Sequence, residues 1–116
     1  MDRQLARYRD KYRDLQAQIA DLGFISTGSV VERLTTCGKL GCRCTGKPPL
    51  PHGPYFQWTR KLRGKTVTRR LTAAEALLYG EWTENARRLS TILANMETVS
   101  EDAAEILLSN AEVDDR

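Results

Sequence analysis

CGKLGCRCTGKPPLPHGPYFQWTRKLRGKTVTRRL, residues 37–71, holds all three cysteines, the single histidine, all four prolines and one of the two tryptophans of a 116-residue chain. The spacing Cys37-x4-Cys42-x-Cys44-x7-His52 offers three thiolates and one imidazole, the soft and borderline donors that tetrahedral zinc prefers. A structural Zn2+ is therefore the expected cofactor, held by Cys37, Cys42, Cys44 and His52. The step from Cys37 to Cys42 is longer than the usual two-residue zinc knuckle spacing and that from Cys42 to Cys44 is shorter, so ordinary free thiols are the competing reading. If His52 is not the fourth ligand, a carboxylate, a water or a second subunit must complete the site. Gly38 and Gly41 free the backbone for a tight loop whose amides can turn toward sulfur. The proline-rich run 48–54 is stiff and delivers His52.

Downstream, residues 55–61 and 65–71 read as an antiparallel hairpin turning at Arg63-Gly64. Pairing Leu62 with Lys65 sets the register. One face then carries Arg60 opposite Val67, Trp58 opposite Arg69 and Phe56 opposite Leu71, apolar anchors suited to a helix. The other carries Lys61 opposite Thr66, Thr59 opposite Thr68 and Gln57 opposite Arg70. That second face is polar with no acidic residue, which suits nucleic acid; the plainer reading is a solvated sheet surface. Gln57, Thr59, Lys61, Thr66, Thr68 and Arg70 form the candidate reading face, with Lys39, Arg43, Lys47, Arg60, Lys65 and Arg69 available for phosphate. A hairpin alone is marginal, and Val30–Thr36, rich in β-branched residues, is the expected third strand. A short helix starting at Ser29, with Glu32 closing a capping box, is the alternative for that segment.

Outward from this centre lie two helical patterns. Residues 2–22 place Leu5, Tyr8, Tyr12, Leu15, Ile19 and Leu22 at alternating three- and four-residue steps, an a/d seam that Gly23 can end. After Leu71, Thr72 and Glu75 form a capping box, and a helix over 72–98 carries Leu78, Trp82, Asn85, Leu89, Ile92 and Met96 along a similar seam. Leu77 with Leu78 widens its apolar side toward the sheet. Asn85 is a polar residue able to set register or oligomer state. The stripes fit the core of a monomer and the interface of a homodimer equally well. Ser100 opens a short final helix over 101–111, followed by a disordered tail. The fold class expected is α+β, a single domain over 1–116 in which two long helices flank the knuckle and hairpin module of residues 28–71.

Charge divides the chain the same way. Residues 1–27, 28–70 and 71–116 carry +1, +9 and −7, so a polyanion would dock on the middle and be repelled by the end. The charged start lacks the apolar run of a signal peptide, and no stretch is long and apolar enough to span a bilayer. A cytoplasmic location without a membrane partner follows as the expectation.

GSVVERLTTCGKLGCRC, HGPYFQWTRK and GKTVTRRLT together resemble a family of uncharacterised bacterial proteins, frequent in actinobacteria and often encoded near transposases or other mobile-element genes. The resemblance runs from the first helix through Met96, and Cys37, Cys42, Cys44 and His52-Gly53-Pro54-Tyr55 match its signature; Leu40 stands where its members often have proline. It implies an accessory role near DNA mobility and supplies no activity to carry over to this chain. A fold-level similarity to the arm-binding domains of tyrosine recombinases, a three-stranded sheet on a helix entering the major groove, points the same way, although the cysteine knuckle departs from it. The expectation is a zinc-stabilised DNA-binding accessory protein, with a transposase or recombinase as partner. An adaptor using its heptad-spaced helices without touching DNA is the second reading. No enzyme is expected: the metal would consume all four donors, and Glu32 is the one nearby carboxylate.

Overall fold

A computed structural model describes residues 2–37 and 39–114 of the chain; Gly38, one of the two glycines expected to loosen the knuckle, lies outside them. The element order is α1 (Arg3–Ala20), β1 (Ser29–Thr35), β2 (His52–Leu62), β3 (Lys65–Leu71) and α2 (Ala73–Asp114), with one 3₁₀ turn at Arg43–Thr45. Helices thus flank an antiparallel sheet with a Cys/His loop between its first two strands, the α+β arrangement expected. The chain divides into two compact units, a helical unit, residues 1–23 with 86–116, and a sheet unit, residues 24–85.

In the sheet unit, β2 is the central strand, and among the described residues the order is β1-β2-β3. The hairpin pairs as its turn dictates, Leu62 with Lys65 through Phe56 with Leu71. Arg63 and Gly64 both take positive φ, 52° and 79°, the twist-matching geometry of a two-residue hairpin loop. Residues 29–35 form the third strand rather than a helix, pairing Val30 with Trp58, Glu32 with Phe56 and Arg33 with Tyr55.

α2 covers the Trp58 face. Its start is the expected capping box: the Glu75 amide donates to Thr72 Oγ1 at 3.1 Å and the Thr72 amide donates to the Glu75 carboxylate at 3.0 Å. These bonds, with Arg69 nearby, hold the Glu75 carboxyl below its ordinary value. A depressed carboxyl contributes stability above the ordinary carboxylate range and loses it as pH falls through the folded value. Leu71 is buried just ahead of the cap.

Leu77 and Leu78 do not widen the sheet-facing side. They are 79% and 48% exposed, and Tyr79 takes that place, its ring 5.1 Å from Trp58 and 5.0 Å from Trp82. Trp82 and Asn85 also act differently from a helix seam. The Trp82 ring meets Phe24 edge-on at 6.4 Å and its carbonyl accepts from the Ser26 amide, while buried Asn85 donates from Nδ2 to the Phe24 carbonyl at 2.9 Å. Both tie down the loop before β1, so the polar group at Asn85 is satisfied inside its own unit.

That loop ends at Gly28, where φ is 116° and an added Cβ would strike the Thr59 carbonyl oxygen and lie 2.9 Å from Trp58 Nε1. The same indole donates to the Thr27 carbonyl at 3.0 Å. Gly28→Ala is expected to destabilise the sheet unit by about 2–4 kcal/mol, read by urea unfolding followed through tryptophan fluorescence.

In the helical unit, α1 starts at Asp2, whose carboxylate accepts from the Gln4 amide at 2.9 Å, and ends at Asp21. The helix therefore stops short of the expected 2–22, and Gly23 is not its left-handed cap. Leu15, Ile92 and Val99 form the buried core, with Tyr8, Tyr12, Ile19, Leu22 and Met96 packed around it. Leu5 and Leu89 are half-buried. α2 does not break at Ser100: it is one helix of 42 residues, and the separate helix over 101–111 is its continuation. Ala103, Ala104, Glu105, Leu107 and Leu108 are strong helix formers, so a serine with a start-like surrounding is carried through.

Candidate metal centre and the free sheet face

The β1–β2 ladder assembles the Cys/His cluster. Thr35 pairs with His52, so Cys37, two residues beyond Thr35, and His52, opening β2, emerge at the same end of adjacent strands. The loop between them folds back through a turn in which Gly41 has φ 77° and then the 3₁₀ turn, closed by Thr45 and Gly46 amides donating to the Cys42 and Arg43 carbonyls. Leu50 donates to the same Arg43 carbonyl at 3.0 Å, pinning the proline-rich return. Gly53, at φ 121°, sits where a Cβ would come within 2.9 Å of the Arg33 carbonyl oxygen. The irregular C-x4-C-x-C-x7-H spacing is thus a consequence of drawing two donors from strand ends and two from the loop between them.

His52 Nε2 lies 3.1 Å from Cys42 Sγ and 3.4 Å from Cys37 Sγ, and Cys37 Sγ lies 3.5 Å from Cys44 Sγ. All four donor atoms fall within 4.8 Å of one another. Tetrahedral zinc with sulfur at about 2.3 Å and nitrogen at about 2.0 Å sets its donors roughly 3.5–3.8 Å apart. The cluster is therefore capable of coordinating a metal ion and is consistent with a closed structural zinc site, zinc-knuckle-like in its donors. Cys44 is 1% exposed; the other three are half-buried.

Backbone amides favour the charged thiolates. The Cys37 amide donates to Cys44 Sγ at 3.2 Å. The Cys44 amide, with bonds from the Cys37 and Cys44 thiols, brings the Cys42 pKa down to about 6. At Cys44 the Cys37 amide pulls the pKa down, but burial and the two neighbouring thiols outweigh it, and the net direction is up. One anion is favoured ahead of the others until a cation joins them. In metal-stripped protein at neutral pH, Cys42 is expected to be the fastest thiol to react with iodoacetamide, with zinc suppressing labelling; peptide mapping by mass spectrometry reads both.

The register sorts the remaining candidates into two groups. Gln57, Thr59, Lys61, Thr66, Thr68 and Arg70 share the face away from Trp58, joined by Tyr55 and, from β1, Arg33, Val31 and Ser29. The Arg70 guanidinium stacks on the Tyr55 ring at 3.7 Å. Tyr55, Arg33, Val31 and Ser29 are the members of this face not named from the sequence. Arg60, Lys65 and Arg69 belong to the opposite face. Arg60 lies over Trp58 at 5.8 Å, and Arg69 reaches Glu75 at 3.4 Å and the Tyr79 ring at 5.9 Å. Arg69 is thereby a link between sheet and helix. Lys39, Arg43 and Lys47 are exposed on the cluster loop.

These features define a small α+β protein whose sheet carries a Cys3His cluster able to hold a metal. The chain belongs to the family described as Domain of unknown function (DUF6788), which matches residues 4–80. That span takes in α1, the sheet, the cluster and the first turns of α2. No curated protein and no solved structure matches the chain. No helix among the described residues is long and apolar enough to cross a membrane.

Proposed function

We propose that this is a zinc-stabilised DNA-binding accessory protein, in which the metal holds the end of the sheet and the free sheet face meets nucleic acid. One observation carries the reading. The face of Arg33, Tyr55, Gln57, Thr59, Lys61, Thr66, Thr68 and Arg70, with Ser29 and Val31 beside them, has three cations and no carboxylate, while the ring and ion-pair contacts to α2 fall on the other side. Arg and Gln at paired positions, Arg70 and Gln57, are the side chains that form two-point contacts with guanine and adenine edges. Lys39, Arg43 and Lys47 supply further charge for phosphate. A place beside a transposase or recombinase rests on the family resemblance alone and belongs to this proposal.

The test is fluorescence anisotropy of the zinc-loaded chain with labelled DNA duplexes at low salt. Expected is binding whose logarithm falls with that of salt concentration at about 0.9 per phosphate contacted, and loss of binding when Gln57, Thr59, Lys61, Thr66, Thr68 and Arg70 are all replaced by alanine. Full retention in that variant sinks the proposal.

A further inference from the structure

The helical unit has an apolar groove on its surface, one edge of which is the rim of its own core. Between α1 and α2 runs a groove of about 340 Å³ in its main section, bordered by Leu5, Tyr12, Val99, Ala103 and Leu107. It continues past Tyr12 and Ser100 to Leu93 and Met96. Leu93 and Leu107 stand 48% and 46% exposed along it. A second hollow between the two helices is bordered by Tyr8, Leu15 and Val99 as well as by Lys11, Asn95 and Asp102.

The walls of the apolar groove have opposite charge. α1 contributes Arg9 and Arg13. α2 contributes Glu97 and Glu101, within a stretch, residues 89–114, that has six acidic and no basic residues. None of these four makes an ion pair among the described residues.

We infer that a second copy of this chain covers the groove, through a two-fold axis running along the helices, to make a four-helix bundle. Face-to-face two-fold pairing of two grooves allows an axis along the helices or one across them. An axis across would lay each α1 on the other α1, Arg9 and Arg13 against themselves. An axis along lays each α1 on the partner's α2, so that the basic wall meets the acidic wall twice. Charge therefore selects the occupant and its orientation together, and the leucines along both edges become a bundle core.

Sedimentation equilibrium or native mass spectrometry of the zinc-loaded full chain tests this. A dimer is expected. Arg9→Glu with Arg13→Glu should weaken it about tenfold or more, and so should Glu97→Lys with Glu101→Lys, with circular dichroism unchanged at these surface positions. Mixing the two variants should restore a heterodimer at near wild-type affinity. A wild-type monomer at every accessible concentration overturns the inference, and so does a dimer of unchanged affinity on reversing Arg9 and Arg13, since about an axis across the helices like charge faces like before and after the change. Because the readout is mass and the variants lie outside the sheet, failure here is separable from failure of the DNA-binding proposal.

Discussion

Replacing Cys44 with serine should abolish stoichiometric metal binding and lower the melting temperature of the sheet unit by more than about 10 °C, while α1 and the far half of α2 keep their helical signal. Cys44 is the donor to choose because it is nearly inaccessible and receives the Cys37 amide, so its sulfur both faces the other donors and satisfies a backbone group. A serine oxygen at that position is a poor zinc ligand and leaves three donors close together with nothing to offset them. The loss should spread because Cys37 and His52 lie at strand ends: without a metal, the ladder at Thr35 and His52 would lose its closure, and so would the loop between. Zinc content by elemental mass spectrometry and melting by circular dichroism read the two effects. A variant as stable as the parent, with the parent's own zinc content at zero, would remove the metal from the structural account.

Arg70→Ala should weaken duplex binding by about five- to a hundredfold at low salt with little change in melting temperature, and Arg69→Ala should do the reverse. The two arginines are adjacent in sequence and opposite in role because a strand alternates its faces. Arg69 spans to Glu75 and Tyr79 and so belongs to the junction of sheet and helix. Arg70 is stacked on Tyr55, which limits the freedom of its guanidinium without consuming its hydrogen-bond donors. An arginine ordered before contact gives up less entropy when it binds. Parallel anisotropy titrations and melts of the two variants decide the matter; equal losses of DNA binding in both would mean that net charge, and not the face, governs the interaction.

What could be read from the sequence followed the range of the signals. The hairpin register was legible to the last pair because a two-residue turn at Arg63-Gly64 leaves one way to pair its flanks. Thr72 and Glu75 announced a helix start through a rule three residues long. The four cluster residues were legible from chemistry alone, since few other arrangements explain three cysteines and a histidine among glycines and prolines. The β1 register was not: residues 36–51 separate the strands, no turn rule spans them, and Arg33 could not be placed beside Tyr55. The long helix misled for a different reason. Its three- and four-residue spacing reads as one seam, but the helix serves two units with two stripes, Ala76, Tyr79 and Thr83 in one and Ile92, Met96 and Val99 in the other. Asn85 and Trp82 fall where the stripes change over, and there the helix holds a loop.

If the cluster holds metal and the open face holds nucleic acid, the pairing of Thr35 with His52 would link the two events. Since Cys37 and His52 are brought together by the β1–β2 ladder, a ligand that tightened that ladder would raise the cluster's affinity for metal, and metal would raise affinity for that ligand by the same factor. On the proposed reading, the vividness of a cobalt-substituted cluster under competition from a chelator would then report, from the far end of the sheet, whether its open face is occupied.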